Sequence, residues 1–231
     1  MPVLSCIVYP VSCIANYLTV RTIMKKAYFL IITILTASLL SACAEKGPVL
    51  LSINYQAPEG KETAVSKKVV AVSPLKDRRG KSASIIGLRT IHDLQNDLVV
   101  QDTVSKMVTE SVQKAFEARG ITVKDAGEWD LTDAGIKKNN TANLLIGGEI
   151  TALWLESKAL MLSTNVKSTV KIKIVVGDMD EKKVIRTINV ASTLDEDILY
   201  SNEKLEQELS DALSSAVNQI FNDDELKKRL Q

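Results

Sequence analysis

From residue 67 onward the hydrophobic positions of the chain switch between two periods. Lys67-Lys68-Val69-Val70-Ala71-Val72 is a β-branched run stopped by Ser73-Pro74, which predicts a buried strand. Leu75 to about Asn96 shows little periodicity and is read as a loop, although more than 20 residues is long for a connection. Between Asp97 and Arg119 the period becomes helical. Val104, Met107, Val108, Val112, Ala115 and Phe116 form one apolar stripe, and Gly120 stands where a left-handed residue would end the helix. Ile121-Thr122-Val123 resumes as a strand, and Trp129 to Asn140 is read as a short helix beginning near Asp130.

Strand-like segments follow. Leu144 to Glu156 is long and apolar, and its Gly147-Gly148 suggests a bulge or a close backbone approach. In Asn165 to Val176, Val170, Ile172 and Ile174 alternate with Thr169, Lys171 and Lys173, so one face is covered and the other solvated. A turn at Gly177–Glu181 leads into a return strand over Lys183–Thr193. Asn202 is read as the N-cap of a second long helix with the stripe Leu205, Leu209, Leu213, Val217 and Phe221. A short helix over Asp223–Leu230 closes the chain. The order β-α-β-β-β-α predicts an α+β fold. The expected form is a two-layer α/β sandwich, with a mostly antiparallel sheet of about five strands and both long helices on one face.

The N-terminal pattern is of another kind. Met24-Lys25-Lys26 precedes Ala27 to Leu40, an uncharged and mostly apolar run, and small residues then lead to Cys43. Charge, apolar core and small residues in that order are what the export machinery reads as a signal peptide. The core is shorter than the roughly 20 residues that span a bilayer. Leu40-Ser41-Ala42-Cys43 resembles a bacterial lipobox, which implies cleavage after Ala42 and acylation of Cys43. Residues 1–23 contain Pro10 and, as their only charge, Arg21. They are read as preceding the true start at Met24, with a second membrane segment as the alternative. The expected organisation is a signal peptide over 1–42, a lipidated tether over 43–66, and a single globular domain over 67–231. Val49–Ile53 is the one tether segment apolar enough to dock as an edge strand.

Composition narrows the chemistry. Without residues 1–42 the chain has 189 residues and one cysteine, Cys43, whose thiol lipidation would consume. No disulfide framework and no cysteine-based metal site is then available. Removing Arg21, Lys25 and Lys26 leaves 26 basic against 28 acidic side chains, too balanced for a dedicated nucleic-acid binder. Arg79-Gly80-Lys81-Ser82 matches only the end of a P-loop, since Leu75 stands where its first glycine belongs. His92 is the single histidine, so neither a zinc site nor a triad can be assembled. The pairs Asp178/Asp180 and Asp195/Asp197 read as solvated turn residues, and the lysine face of 167–173 as protection of an open sheet. No cofactor is expected.

One further pattern is shared with a known group. Val69-Val70-Ala71-Val72, Asp77-Arg78-Arg79 and Ile86-Gly87-Leu88-Arg89 resemble the strand, D-x-R and G-x-R arrangement of the YajG-type lipoproteins. The helix ending in Ala118-Arg119-Gly120 and the tail from Ile220 to Leu226 resemble that family too. The resemblance implies a lipid-anchored periplasmic domain, on the outer membrane, with no established activity. Ala44 agrees, because an aspartate there favours inner-membrane retention in enteric bacteria.

Two functions fit this sequence. One is a non-enzymatic binding or envelope-assembly module, anchored through its acyl chains and facing an envelope protein or lipid. The other is a carboxylate-dependent hydrolase of envelope material. Asp77, Arg79, Gly87 and Arg89 are the candidate loop surface. Asp77 and an arginine are expected to clamp the loop against the helix start at 97–104, making it part of a partner-facing surface.

Overall fold

A computed structural model describes residues 47–58, 68–137 and 141–231. The proposed lipobox, Leu40, Ser41, Ala42 and Cys43, lies outside the described residues. The body, Gly47–Gln231, is one compact unit.

The strands are β1 (Val49–Leu50), β2 (Val69–Val72), β3 (Lys76–Asp77), β4 (Ile85–Ile91), β5 (Leu94–Val99), β6 (Thr122–Asp125), β7 (Leu144–Ala159), β8 (Thr164–Asp178) and β9 (Lys183–Ile198). The helices are α1 (Val104–Glu117), α2 (Asn202–Gln219) and α3 (Asp224–Leu230). All nine strands belong to one mixed sheet. It curls into a half-barrel, and this overturns the expected two-layer sandwich on a mostly antiparallel sheet. The β7–β8, β8–β9 and β4–β5 pairs are antiparallel. The pairs β1–β5, β2–β6, β2–β7, β3–β7 and β4–β7 are parallel.

Strand β7 is the reason. At 16 residues it is far longer than the partners along one edge. Three short strands share that edge in succession: β2 meets Leu144–Ile146, β3 meets Glu149–Ile150 and β4 meets Leu155–Lys158. The other edge pairs with β8 along its whole length. Strand twist accumulates over such a length, and bulges between Ile150 and Ala152 and between Val176 and Gly177 bend the ribbon further.

Segment 75–96 is therefore not a loop. It contributes β3, all of β4 and the start of β5, with a tight turn at His92, whose φ is +52°. Helix α1 begins at Val104, not near Asp97, with the Thr103 hydroxyl accepting from the Lys106 amide. Of the helix expected over 129–140, the described part, residues 129–137, holds only a 3₁₀ turn at Asp133–Gly135. Ser201 rather than Asn202 caps α2.

The inward face packs on the helices. Val112, Phe116, Leu209, Leu213 and Val217 are buried in one cluster with Val170, Ile172 and Ile174. The Phe116 and Phe221 rings meet edge to face, 4.8 Å apart. A second, smaller cluster covers the opposite face at one end: Trp129 and Ile136 lie over Ala71, Leu145 and Val175. Glycine makes that possible, because a Cβ on Gly147 would meet the Trp129 and Leu131 side chains at 2.8 Å.

Residues 47–58, assigned by sequence to the tether, lie on the body. Leu51 and Ile53 are buried in the main cluster. The backbone amides of Ser52, Asn54 and Gln56 donate to the side chains of Glu206, Ser210 and Ser214 on α2. Two extended residues advance about 6.8 Å and four helical residues about 6 Å, so every second amide finds every fourth side chain.

Candidate functional site

Residues 78–84 join β3 to β4; the Arg78 amide still donates to the Ile150 carbonyl of β7, after which the chain leaves that edge and the Arg79 side chain occupies the gap. Its Nη1 donates to the carbonyl oxygens of Leu153 at 3.2 Å and Ile85 at 2.8 Å. Leu153 belongs to β7 and faces the break in the ladder, so the guanidinium supplies the donor that a strand amide would otherwise give. Its remaining nitrogens form a fork on Asp77, Nε to Oδ1 at 2.9 Å and Nη2 to Oδ2 at 2.8 Å. The Arg79 amide donates to the same Oδ1, and Nη2 also donates to the Ser82 carbonyl. The Arg79 side chain is 3% exposed and that of Asp77 19%. Burial pushes the Asp77 carboxyl up, but the hydrogen bonds and charge of Arg79 outweigh it and leave its pKa below the ordinary value.

The ion pair thus fastens the 78–84 loop to β4 and β7. The helix is reached by other bonds: the Val104 amide donates to the Ala83 carbonyl, and ahead of β3 the Ser105 hydroxyl donates to the Leu75 carbonyl while the Leu75 amide donates to the Thr109 hydroxyl. That differs from the expected clamp, in which the ion pair itself held the loop to the helix.

Gly87 and Arg89 are not loop residues. Both lie in β4, and a Cβ on Gly87 would fall on the Leu155 carbonyl oxygen, so β4 can approach β7 only with glycine there. Arg89 points elsewhere, its guanidinium carbon 3.7 Å from the centre of the Tyr200 ring. The four candidate residues therefore divide between the loop clamp, a sheet contact and an aromatic stack.

Other sequence candidates have structural partners. Lys81 stands over the Trp154 ring at 4.9 Å. Asp178 accepts from the Asp180 and Glu181 amides and from Arg229. Asp195 and Asp197 both accept from the Asn165 amide group. Sequence reasoning missed Glu208, a buried carboxylate on α2 whose pKa burial and the nearby Glu196 and Asp211 charges push up. Its place within the α2 stripe, one residue before Leu209, is the signal that marks it. Two open clefts, of about 290 and 250 Å³, flank α1. The larger is lined by residues 50–54 with Met107, Glu110 and Glu206, the smaller by Pro74, Thr109 and Asp125; Glu208 lines neither. Among the described residues no group of His, Cys, Asp or Glu is arranged to hold a metal, and no helix is long and apolar enough to cross a membrane.

Residues 56–231 match the model of a family described as uncharacterized lipoprotein. The chain belongs to that family. This is the YajG-type group whose strand, D-x-R and G-x-R segments are β2, β3 with its following loop, and β4. As a YajG-type lipoprotein it is a lipid-anchored protein of the cell envelope, and the family carries no described catalysis. No curated protein matches the sequence. Among solved structures, a Xanthomonas campestris protein is similar with TM-score 0.49 and 10% identity, covering 78% of this chain and 98% of its own. A hypothetical protein of Chlamydia trachomatis has TM-score 0.42 and 13% identity, over 68% and 95%. The lipoprotein GNA1162 of Neisseria meningitidis has TM-score 0.35 and 16% identity, over 68% and 99%.

Proposed function

We propose that this lipoprotein is a non-enzymatic binding or assembly module. In this reading it is exported by a cleaved signal peptide and held by acylated Cys43 on the periplasmic face of the outer membrane. The single observation that carries a binding role is the Asp77–Arg79 fork. Surface ion pairs contribute at most about 1 kcal/mol, but this arginine is buried and holds a seven-residue excursion in one shape. Arg78, Gly80, Lys81 and Ser82 are exposed on that excursion, giving a fixed polar surface for an envelope protein or lipid.

Two measurements test the reading. Mass spectrometry of the mature N-terminus is expected to find acylated Cys43, and Cys43→Ala to release soluble or unprocessed protein. A photo-crosslinker placed at Lys81 in intact cells is expected to capture a partner, and Arg79→Ala to reduce that capture in protein that is still folded. Capture unchanged by Arg79→Ala, with a crosslinker at Lys183 equally productive, would remove the loop from the proposal.

A further inference from the structure

Seven large hydrophobic side chains are exposed among the described residues, and six lie at one end of the sheet: Leu94, Leu160, Met161, Leu162, Leu199 and Tyr200. Strand register brings them together. Leu94 follows the β4–β5 turn, and Thr90 of β4 is level with Lys158 of β7. Leu160 to Leu162 form the β7–β8 turn, closed by the Leu160 amide on the Ser163 carbonyl. Thr164 of β8 is level with Ile198 of β9, after which come Leu199 and Tyr200. Met161 is 97% exposed, Leu162 87% and Leu199 80%. Isolated exposed leucines need no explanation, but a gathered set at the tips of adjacent turns marks a contact surface.

The path of the chain identifies what meets it. Strand β1 runs parallel to β5 with Val49 level with Leu98, and β5 runs away from the Leu94 turn. Continuing that register puts Gly47 level with Asn96, so the chain enters the body from the same end as the apolar tips. Cys43 is four residues earlier, a reach of at most ~14 Å for extended chain. A cysteine acylated in a bilayer therefore holds this end, and not the opposite one, against the lipid.

We infer that the apolar end of the sheet, with Met161 at its tip, inserts into the leaflet that receives the acyl chains and fixes the body upright on it. This rests on the reading of Cys43 as the lipidated residue. Tyr200 suits such a boundary, since its ring is stacked under Arg89 and its hydroxyl donates to Asn202 at 2.6 Å. Charges beside the tips are mixed, with Arg89, Lys158 and Lys167 against Asp93, Glu156, Asp195, Glu196 and Asp197. The contact is accordingly apolar, and neither anionic lipid nor low salt is needed for it.

The test uses the full chain, acylated in cells and reconstituted in phosphatidylcholine vesicles, with the Cys43 modification verified by mass. An environment-sensitive fluorophore is placed at Met161→Cys or, as control at the far end of the sheet, at Lys183→Cys. The label at 161 is expected to show blue-shifted emission and to lose most of its intensity to nitroxide-bearing lipids. The label at 183 is expected to do neither. Adding Leu160→Ser and Leu162→Ser is expected to return the 161 label to a water-like emission while the circular dichroism spectrum stays unchanged. A water-like emission at 161 in the unaltered acylated protein overturns the inference. Protection that vanishes on dilution to one protein per vesicle overturns it in favour of a second copy of this chain. A protein lacking the acyl mass on Cys43 would instead refute the anchor reading, which keeps the two failures separate.

Discussion

Replacing Arg79 by alanine is the sharpest perturbation of this fold that leaves its hydrophobic core intact. Five hydrogen bonds leave the guanidinium, two to Asp77 and three to the carbonyls of Ser82, Ile85 and Leu153. Breaking a buried ion pair by removing one partner costs about 3–5 kcal/mol, because the other charge stays desolvated. Asp77 retains some contact with water, which places the loss at the lower end, while the stranded Leu153 and Ile85 carbonyls add to it. The expected cost is about 3 kcal/mol, summed from those two effects. In urea, with a slope of about 2 kcal/mol/M for a domain of this size, the midpoint falls by about 1.5 M. Arg79→Lys keeps the charge but not the fork and should lose about half as much. The pH dependence has a definite sign. The folded pKa of Asp77 is depressed, so its contribution is complete above the ordinary value of 3.8 and is lost as pH falls through the folded value. The gap between wild type and Arg79→Ala therefore narrows in acid. A midpoint shift below about 0.25 M at pH 7, with an unchanged slope, would refute the account of Arg79 as a surrogate for a missing strand.

Three other substitutions probe separate parts of the structure. Gly87→Ala sets a methyl group on the Leu155 carbonyl oxygen and should cost more than about 2 kcal/mol, read as a lower urea midpoint with loss of slow-exchanging amides in β4. Phe116→Ala removes a fully buried ring packed on Phe221 and should cost about 3–5 kcal/mol in the same assay; a loss under about 0.5 kcal/mol would mean that α1 does not pack there. Glu208→Gln should stabilise the protein at neutral pH. Because the folded pKa of Glu208 is raised, its cost is absent below the ordinary value of 4.5, develops as pH rises from there towards the folded value, and is complete above it. The gain in Tm is expected at pH 7 and absent at pH 3, and an equal gain at both would contradict it.

What was legible in the sequence is what local periodicity encodes. The α1 and α2 stripes and the β8–β9 hairpin repeat their apolar residues at 3.6 or 2 positions, and they form where those periods place them. What escaped depends on partners distant in the chain. Strand β5 reads Leu-Gln-Asn-Asp-Leu-Val, too polar to announce a strand, because most of its side chains face away from the core. Strand β3 has two residues and exists only because β7 passes beside it. The Asp77–Arg79 pair was visible as two charges, but its purpose was not, since the carbonyl it serves lies 74 residues further on. Strands of 15 or 16 residues bend a sheet that shorter ones would have left open, and element order alone does not reveal that.

The stitching of residues 52, 54 and 56 to every fourth side chain of α2 also has a mechanical meaning. Together with the β1–β5 pairing it forms a seam running along the direction in which the N-terminus leaves the body. Tension arriving from an anchor at Cys43 would pull along that seam and load its bonds in shear, all at once, instead of peeling them one by one. Seams loaded in this way resist force far better than the strength of any single bond suggests.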